Sequence, residues 1–259
     1  MRTRAIALGV LNVLLIAAVI AVNTLAVVLP LNGRSTGAIS DSFKALFVPA
    51  GYVFSIWGLI YVGLVAFGIF QLLPSQRENR SVRAADGWFA LSSLANCAWI
   101  FSWHYGLYPL SLLLMVILLV CLIAIHSRLH SARISGRSPS VSTRLLVRLP
   151  FSIYLGWISV ATIANASDVL TWAGFAGFGL PETTWTIALA IVASLLALAM
   201  SLRRRDIGFS AVIAWALYGI IQKQAGFPAI VTGCWVAIGI VGLGLVLAFI
   251  LPPVRTKAR

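Results

Sequence analysis

The side chains that could do chemistry in this chain are sparse, and their spacing groups them. Phe54, Trp57 and Tyr61 stand at i, i+3 and i+7, as do Asn96, Trp99 and Trp103, so each trio shares one face of a helix. A third stretch, "YLGWISVATIANASD", carries Trp157, then Asn165 about two turns on, then Asp168. Rings accompanied by a few amides suit recognition of a flat, largely apolar molecule, with stacking and burial from the aromatics and hydrogen bonds to polar edges from Asn96 and Asn165. Acid–base chemistry is poorly provided for. Asp41, Glu78, Asp86, Asp168, Glu182 and Asp206 all fall in loops or at helix ends, whereas a membrane enzyme or a proton-coupled carrier needs ionisable groups at depth. We therefore expect no enzyme, with Asp168 the best exception, weighed against an ordinary helix-end charge.

The elements that position these residues are read from composition. The chain has 259 residues, 61% hydrophobic and 10% charged, with a mean hydropathy of +1.00, which places it among integral membrane proteins. A hydrocarbon core about 30 Å thick needs about 20 apolar residues as helix, because unpaired backbone groups are too costly in lipid. Eight segments are expected to span, at 5–29, 51–73, 86–104, 108–129, 145–166, 183–202, 207–223 and 228–250, the seventh barely long enough. The first, opening "MRTRAIALGV", has an apolar run longer than that of a signal peptide and no clear cleavage site, so it reads as a retained helix. The expectation is an all-α polytopic protein.

The net charge of +13 lies between the apolar runs. With eight spans both termini share a side, and every basic residue falls on that side except Arg34, Lys44 and Lys223. The termini are therefore expected to be cytoplasmic. Arg2, Arg4, Arg77, Arg80, Arg83, Arg128, Arg133, Arg137, Arg144, Arg148, Arg203, Arg204, Arg205, Arg255, Lys257 and Arg259 make up the cytoplasmic set. The arginine-rich loop around 127–148 is a topology signal that would also meet anionic lipid headgroups, and nucleic acid is not an expected partner.

Oriented this way, the three groups of site candidates converge near the outer ends of the second, third and fifth segments. Two readings stand. Trp and Tyr collect at both membrane interfaces, but Trp57, Trp99, Trp103, Trp172 and Trp185 map to the outer half while only Trp88 is clearly at the inner interface, which favours an outer pocket over a belt. Asn96 and Asn165 are read equally as interhelical ties or as ligand contacts. His104 in "SWHYG" lies beside the proposed pocket. His126 and His130 are four apart but lack a third ligand, and Cys97, Cys121 and Cys234 have no metal or redox spacing, so no metal site is expected. The glycine-rich "TWAGFAGFGLPETTW" lacks the lysine of a phosphate loop.

At these residues the chain resembles the tryptophan-rich sensory protein family, also called the translocator protein or TspO/MBR family. The resemblance rests on a proline before the aromatic helix start, "WGLIY" at 57–61, "NCAW" at 96–99 and "WISVATIAN" at 157–165, and covers roughly residues 5–168. It implies a five-helix bundle with a pocket for porphyrins and other flat hydrophobic ligands, covered by the loop between helices 1 and 2, here residues 29–49. The departures are Ala50 in place of a second proline, an interval from Phe54 to Trp57 one residue short, and no Lys or Arg in "ASDVLTWAG" where animal members carry their sterol signature. Three further helices make this a longer relative, expected to divide into a five-helix bundle at 1–168 and a membrane extension at 169–259. Ala229, Gly233 and Ala237 at four-residue intervals suggest close packing of the last helix.

The expected function is thus a receptor-like protein of the inner (cytoplasmic) membrane that binds, senses or translocates a flat hydrophobic ligand such as a tetrapyrrole. The expected ligand-binding residues are Phe54, Trp57, Tyr61, Asn96, Trp99, Trp103, Trp157, Asn165 and Asp168. No cofactor is required and the tetrapyrrole enters as a ligand. The lipid bilayer and a hydrophobic small molecule are the expected partners, and a homodimer is open. The alternatives are a secondary transporter of a small amphipathic substrate and, behind it, an intramembrane enzyme acting on a pigment or lipid.

Overall fold

A computed structural model describes residues 2–29, 31–134 and 139–252, with side chains described from Ile6 on and not for 133–134. Among the described residues there are helices, turns and loops but no strand. Eight long helices run as α1 (Arg2–Val28), α2 (Ile56–Leu72), α3 (Trp88–His104), α4 (Tyr108–Ile134), α5 (Leu149–Trp172), α6 (Glu182–Arg204), α7 (Ile207–Lys223) and α8 (Pro228–Ile250). Of the basic residues used to orient the chain, the side chains of Arg2, Arg4 and Arg133, and all of Arg137, Arg255, Lys257 and Arg259, lie outside the described residues.

Six of these stretches are long and apolar enough to cross a membrane, so this is a polytopic membrane protein. The two remaining helices, α3 and α7, have 17 residues each and reach about 25 Å, whereas α2, equally long by itself, is extended to 22 residues by the helical turn at Gly51–Ser55. Turn chemistry sets their length. Helix α3 is bounded by Gly87 and Gly106, both at positive φ, and α7 starts at Asp206, whose carboxylate accepts from the Phe209 N–H. Helix α3 packs on α1 and α4, and α7 on α5, α6 and α8.

Helix α5 departs most from expectation. It runs to Trp172 instead of ending near 166, because the polar "NASD" stretch continues the helix and Gly174, at φ 72°, terminates it. At its other end Pro150 has no N–H to give the preceding turn, and the backbone widens to a π-turn over Arg144–Arg148. Helix α2 is preceded by a tight turn at Gly51–Ser55. Helices α5 and α7 approach closely where Gly156 faces Phe209; a Cβ there would lie 3.0 Å from the Phe209 carbonyl oxygen.

In α8 the buried seam is Ile230, Cys234, Ala237, Val241 and Gly244, an alternation of four- and three-residue steps typical of helices packed nearly parallel. It seats α8 on α6 and α7. Gly233 faces Ile187 and Ala237 is buried, but Ala229 is exposed and does not continue the seam.

Candidate functional site

The loop before α2 and the facing ends of α2, α3 and α5 bring the aromatic groups together. Trp99 and Trp103, one turn apart on α3, stack with centroids 6.0 Å apart. Trp157 of α5 stands edge-on to Phe54 at 5.6 Å and to Trp57 at 6.2 Å. With Asn165 and Asp168 these five rings wall a cavity of about 40 Å³. Val160, Ala161 and Ala164 of α5 complete the wall, and Thr36, Ser40, Val48 and Pro49 of the loop form its roof. Space of this size admits a water or two, far below the roughly 300 Å³ of a small ligand site.

The polar groups in the wall are unequally satisfied. Asn165 accepts from the Trp99 indole at 3.4 Å and donates to Ser111 Oγ on α4 at 3.2 Å, so it ties three helices while facing the cavity. Trp103 Nε1 donates to the Thr36 carbonyl at 3.2 Å. Asp168 is 1% exposed and accepts from Ser40 Oγ at 3.0 Å through one oxygen. Its other oxygen, and the indole N–H of Trp157, are buried without a hydrogen-bond partner among the described residues. Asp168 is thus a buried acid, not a rim charge, because α5 extends past it and the loop folds over it.

Two expected site residues stand outside the cavity. Asn96 is fully buried, accepting from Asn23 Nδ2 at 2.7 Å and donating to the Tyr154 hydroxyl at 3.1 Å; it links α1, α3 and α5. Tyr61 stacks on Trp57 at 5.6 Å, one turn deeper, and supports that ring from below. Trp172 and Trp235 are exposed, as a membrane belt requires, while Trp215 donates to the Val53 carbonyl at 3.3 Å.

The roof is fastened from both halves of the molecule. On one side His104 bonds the Leu31 carbonyl through Nδ1 and Thr36 Oγ1 through Nε2, each at 3.0 Å. A carbonyl only accepts, so Nδ1 donates to Leu31. Phe43 covers the stack, 5.8 Å from Trp103. On the other side Glu182 accepts from the Leu46 N–H at 2.7 Å, Gln224 donates to the Leu46 carbonyl at 3.0 Å, and Lys223 pairs with Asp41. The Ala50 N–H donates to the Gly219 carbonyl at 3.1 Å, at a contact so close that a Cβ on Gly219 would meet Val53 Cγ2 at 2.2 Å. Sequence reasoning missed these roof contacts; the only signal was that Glu182, Lys223 and Asp41 fall at the same end of their segments as the aromatic groups.

The opposite end of the bundle holds a second polar cluster. His126 faces Asp206 at 2.5 Å through Nε2, and its Nδ1 accepts from Arg204 at 3.2 Å. Burial pushes the Asp206 carboxyl up, but hydrogen bonds from His126, Ser152 and the Phe209 N–H outweigh this and hold it below the usual range.

The family model described as TSPO-like protein matches residues 9–247, running through all eight helices and across the expected division at 168. No curated protein and no solved structure matches the chain.

Proposed function

Since the chain belongs to the TSPO-like family, we propose that this multi-pass membrane protein binds a flat, largely apolar ligand, with tetrapyrroles the leading class, beneath the 29–49 loop. The observation that carries the reading is the aromatic cavity whose wall holds one indole donor and one carboxylate oxygen, both buried and without partners among the described residues. Stranded polar groups of this kind cost roughly 1–3 kcal/mol each, and a ligand that brings an acceptor to Trp157 and a donor to Asp168 recovers it. A dicarboxylic tetrapyrrole would turn its ring N–H groups, not its carboxylates, toward Asp168. The rings of Phe54, Trp57, Trp99, Trp103 and Trp157 supply stacking and burial.

The cavity is too small for such a ligand in this state, so admission requires the roof to lift, breaking the bonds of Thr36, Ser40 and Leu46 described above. Apart from Arg34, the described arginines lie at the other end of the helices, which by the charge rule is cytoplasmic. The ligand therefore sits in the outer half of an inner (cytoplasmic) membrane, with binding rather than catalysis as the role. Transport is the alternative, favoured by the roof's attachment to α7 as well as to α3 and α5; net flux of ligand into proteoliposomes separates the two.

Titrating the purified protein with protoporphyrin should quench tryptophan fluorescence saturably. Trp57→Ala with Trp157→Ala should abolish the saturable part, and unchanged affinity in that variant would overturn the site.

A further inference from the structure

The far end of α5 carries a second cavity. It holds about 400 Å³ between α4, the π-turn before α5, and the turn from α6 to α7. Arg144, Arg148, Arg204 and Arg205 line it together with His126 and His130. Asp206 is the one acid in its wall, and its oxygens are engaged by His126, Ser152 and the Phe209 N–H. All four arginines are oriented by acceptors without a carboxylate: Arg144 Nε on the Pro139 carbonyl at 3.2 Å, Arg148 on the Leu129 carbonyl at 2.6 Å, Arg204 on His126 Nδ1 at 3.2 Å, and Arg205 on the Leu251 carbonyl at 2.6 Å. These bonds position positive charge without neutralising it, as an anion site requires.

What distinguishes the cleft from an ordinary basic surface is its floor. Leu149, Ile207 and Gly208 line it and also line an apolar groove of about 500 Å³ between α2, α5 and α7. That groove includes Leu59, Ala211 and Trp215, so it follows α7 for about 12 Å from Ile207. Leu59 and Ile207 are more than half exposed, and no segment among the described residues covers them. A charged cleft continuous with an apolar furrow of hydrocarbon depth matches an amphiphile, not a soluble anion.

We propose that cleft and groove together hold one anionic phospholipid, its phosphate among Arg144, Arg148, Arg204 and Arg205 and an acyl chain along α7 between Leu59 and Trp215. Basic pockets between membrane helices are suited to such headgroups. The site is independent of the aromatic cavity and of what that cavity binds.

The test is native mass spectrometry of the full chain in detergent with phosphatidylglycerol or phosphatidylcholine of identical acyl chains. Phosphatidylglycerol should bind preferentially, and Arg204→Gln with Arg205→Gln should weaken it about fivefold per arginine. Ala211→Phe, on an exposed position, fills the groove and should weaken phosphatidylglycerol while leaving competition by glycerol phosphate unchanged. Equal binding of the two lipids, or full retention in the double variant, overturns the proposal. If Ala211→Phe has no effect and glycerol phosphate displaces the lipid fully, the cleft takes a free phosphate and the lipid assignment fails. Should the double variant not fold, Arg144→Gln and Ala211→Phe carry the same comparison.

Discussion

Asn96, Asn165 and Asp168 show how a polar residue in an apolar helix divides between structure and recognition. All three are buried, where an unsatisfied polar group is costly. Asn96 has partners on two other helices and no face on the cavity, Asn165 has both, and Asp168 keeps one oxygen unpartnered in the cavity wall. Removing Asn96 should therefore affect stability and spare the site. Asn96→Ala leaves the Tyr154 hydroxyl and Asn23 short of a partner and should cost about 1–3 kcal/mol. A thermal melt in detergent should show that loss while saturable protoporphyrin quenching keeps its affinity; a quenching affinity that falls with an unchanged melt would return Asn96 to the binding site.

Among elements, α7 is the one whose role could not be anticipated from its own composition. It is short, it packs between α5, α6 and α8, and its outer end accepts the chain that leads from the roof into α2. Gly219 makes that possible, since Val53 and Pro49 occupy the space a side chain would need. Gly219→Ala should push this segment off α7 at a cost of about 1–3 kcal/mol, the usual range for overpacking. Amide hydrogen exchange over residues 46–55 should accelerate while that of the α4 core does not; unaltered exchange in 46–55 would show that α7 does not hold the roof.

At the scale of the molecule, Asp206 joins four helices. It caps α7, binds Ser152 of α5 and His126 of α4, and through His126 meets Arg204 of α6. Its carboxyl is held below the ordinary range in the folded protein. A group with a lowered folded pKa contributes stability above its unfolded value, about 3.9, and that contribution is lost as pH falls through the folded value. Melting temperatures of the protein and of Asp206→Asn should therefore differ at pH 6–7 and converge below about pH 4. A constant gap down to pH 3 would mean that the carboxylate charge does not carry the junction.

The order of the long helices, and their extent apart from the end of α5, were legible in the chain because each is a long apolar run punctuated by Gly, Pro or charge, and these are local signals. The convergence of Phe54, Trp57, Trp99, Trp103 and Trp157 was legible too, since helical spacing and a common orientation put them at one level. Tertiary structure alone decided which amides are ties and which face the cavity, that Asp168 is buried, and that α6 and α7 hold the roof. Those outcomes depend on contacts between residues far apart in sequence, such as Ser40 with Asp168 and Gly219 with Val53, and no pattern within one segment specifies which distant partner it will meet.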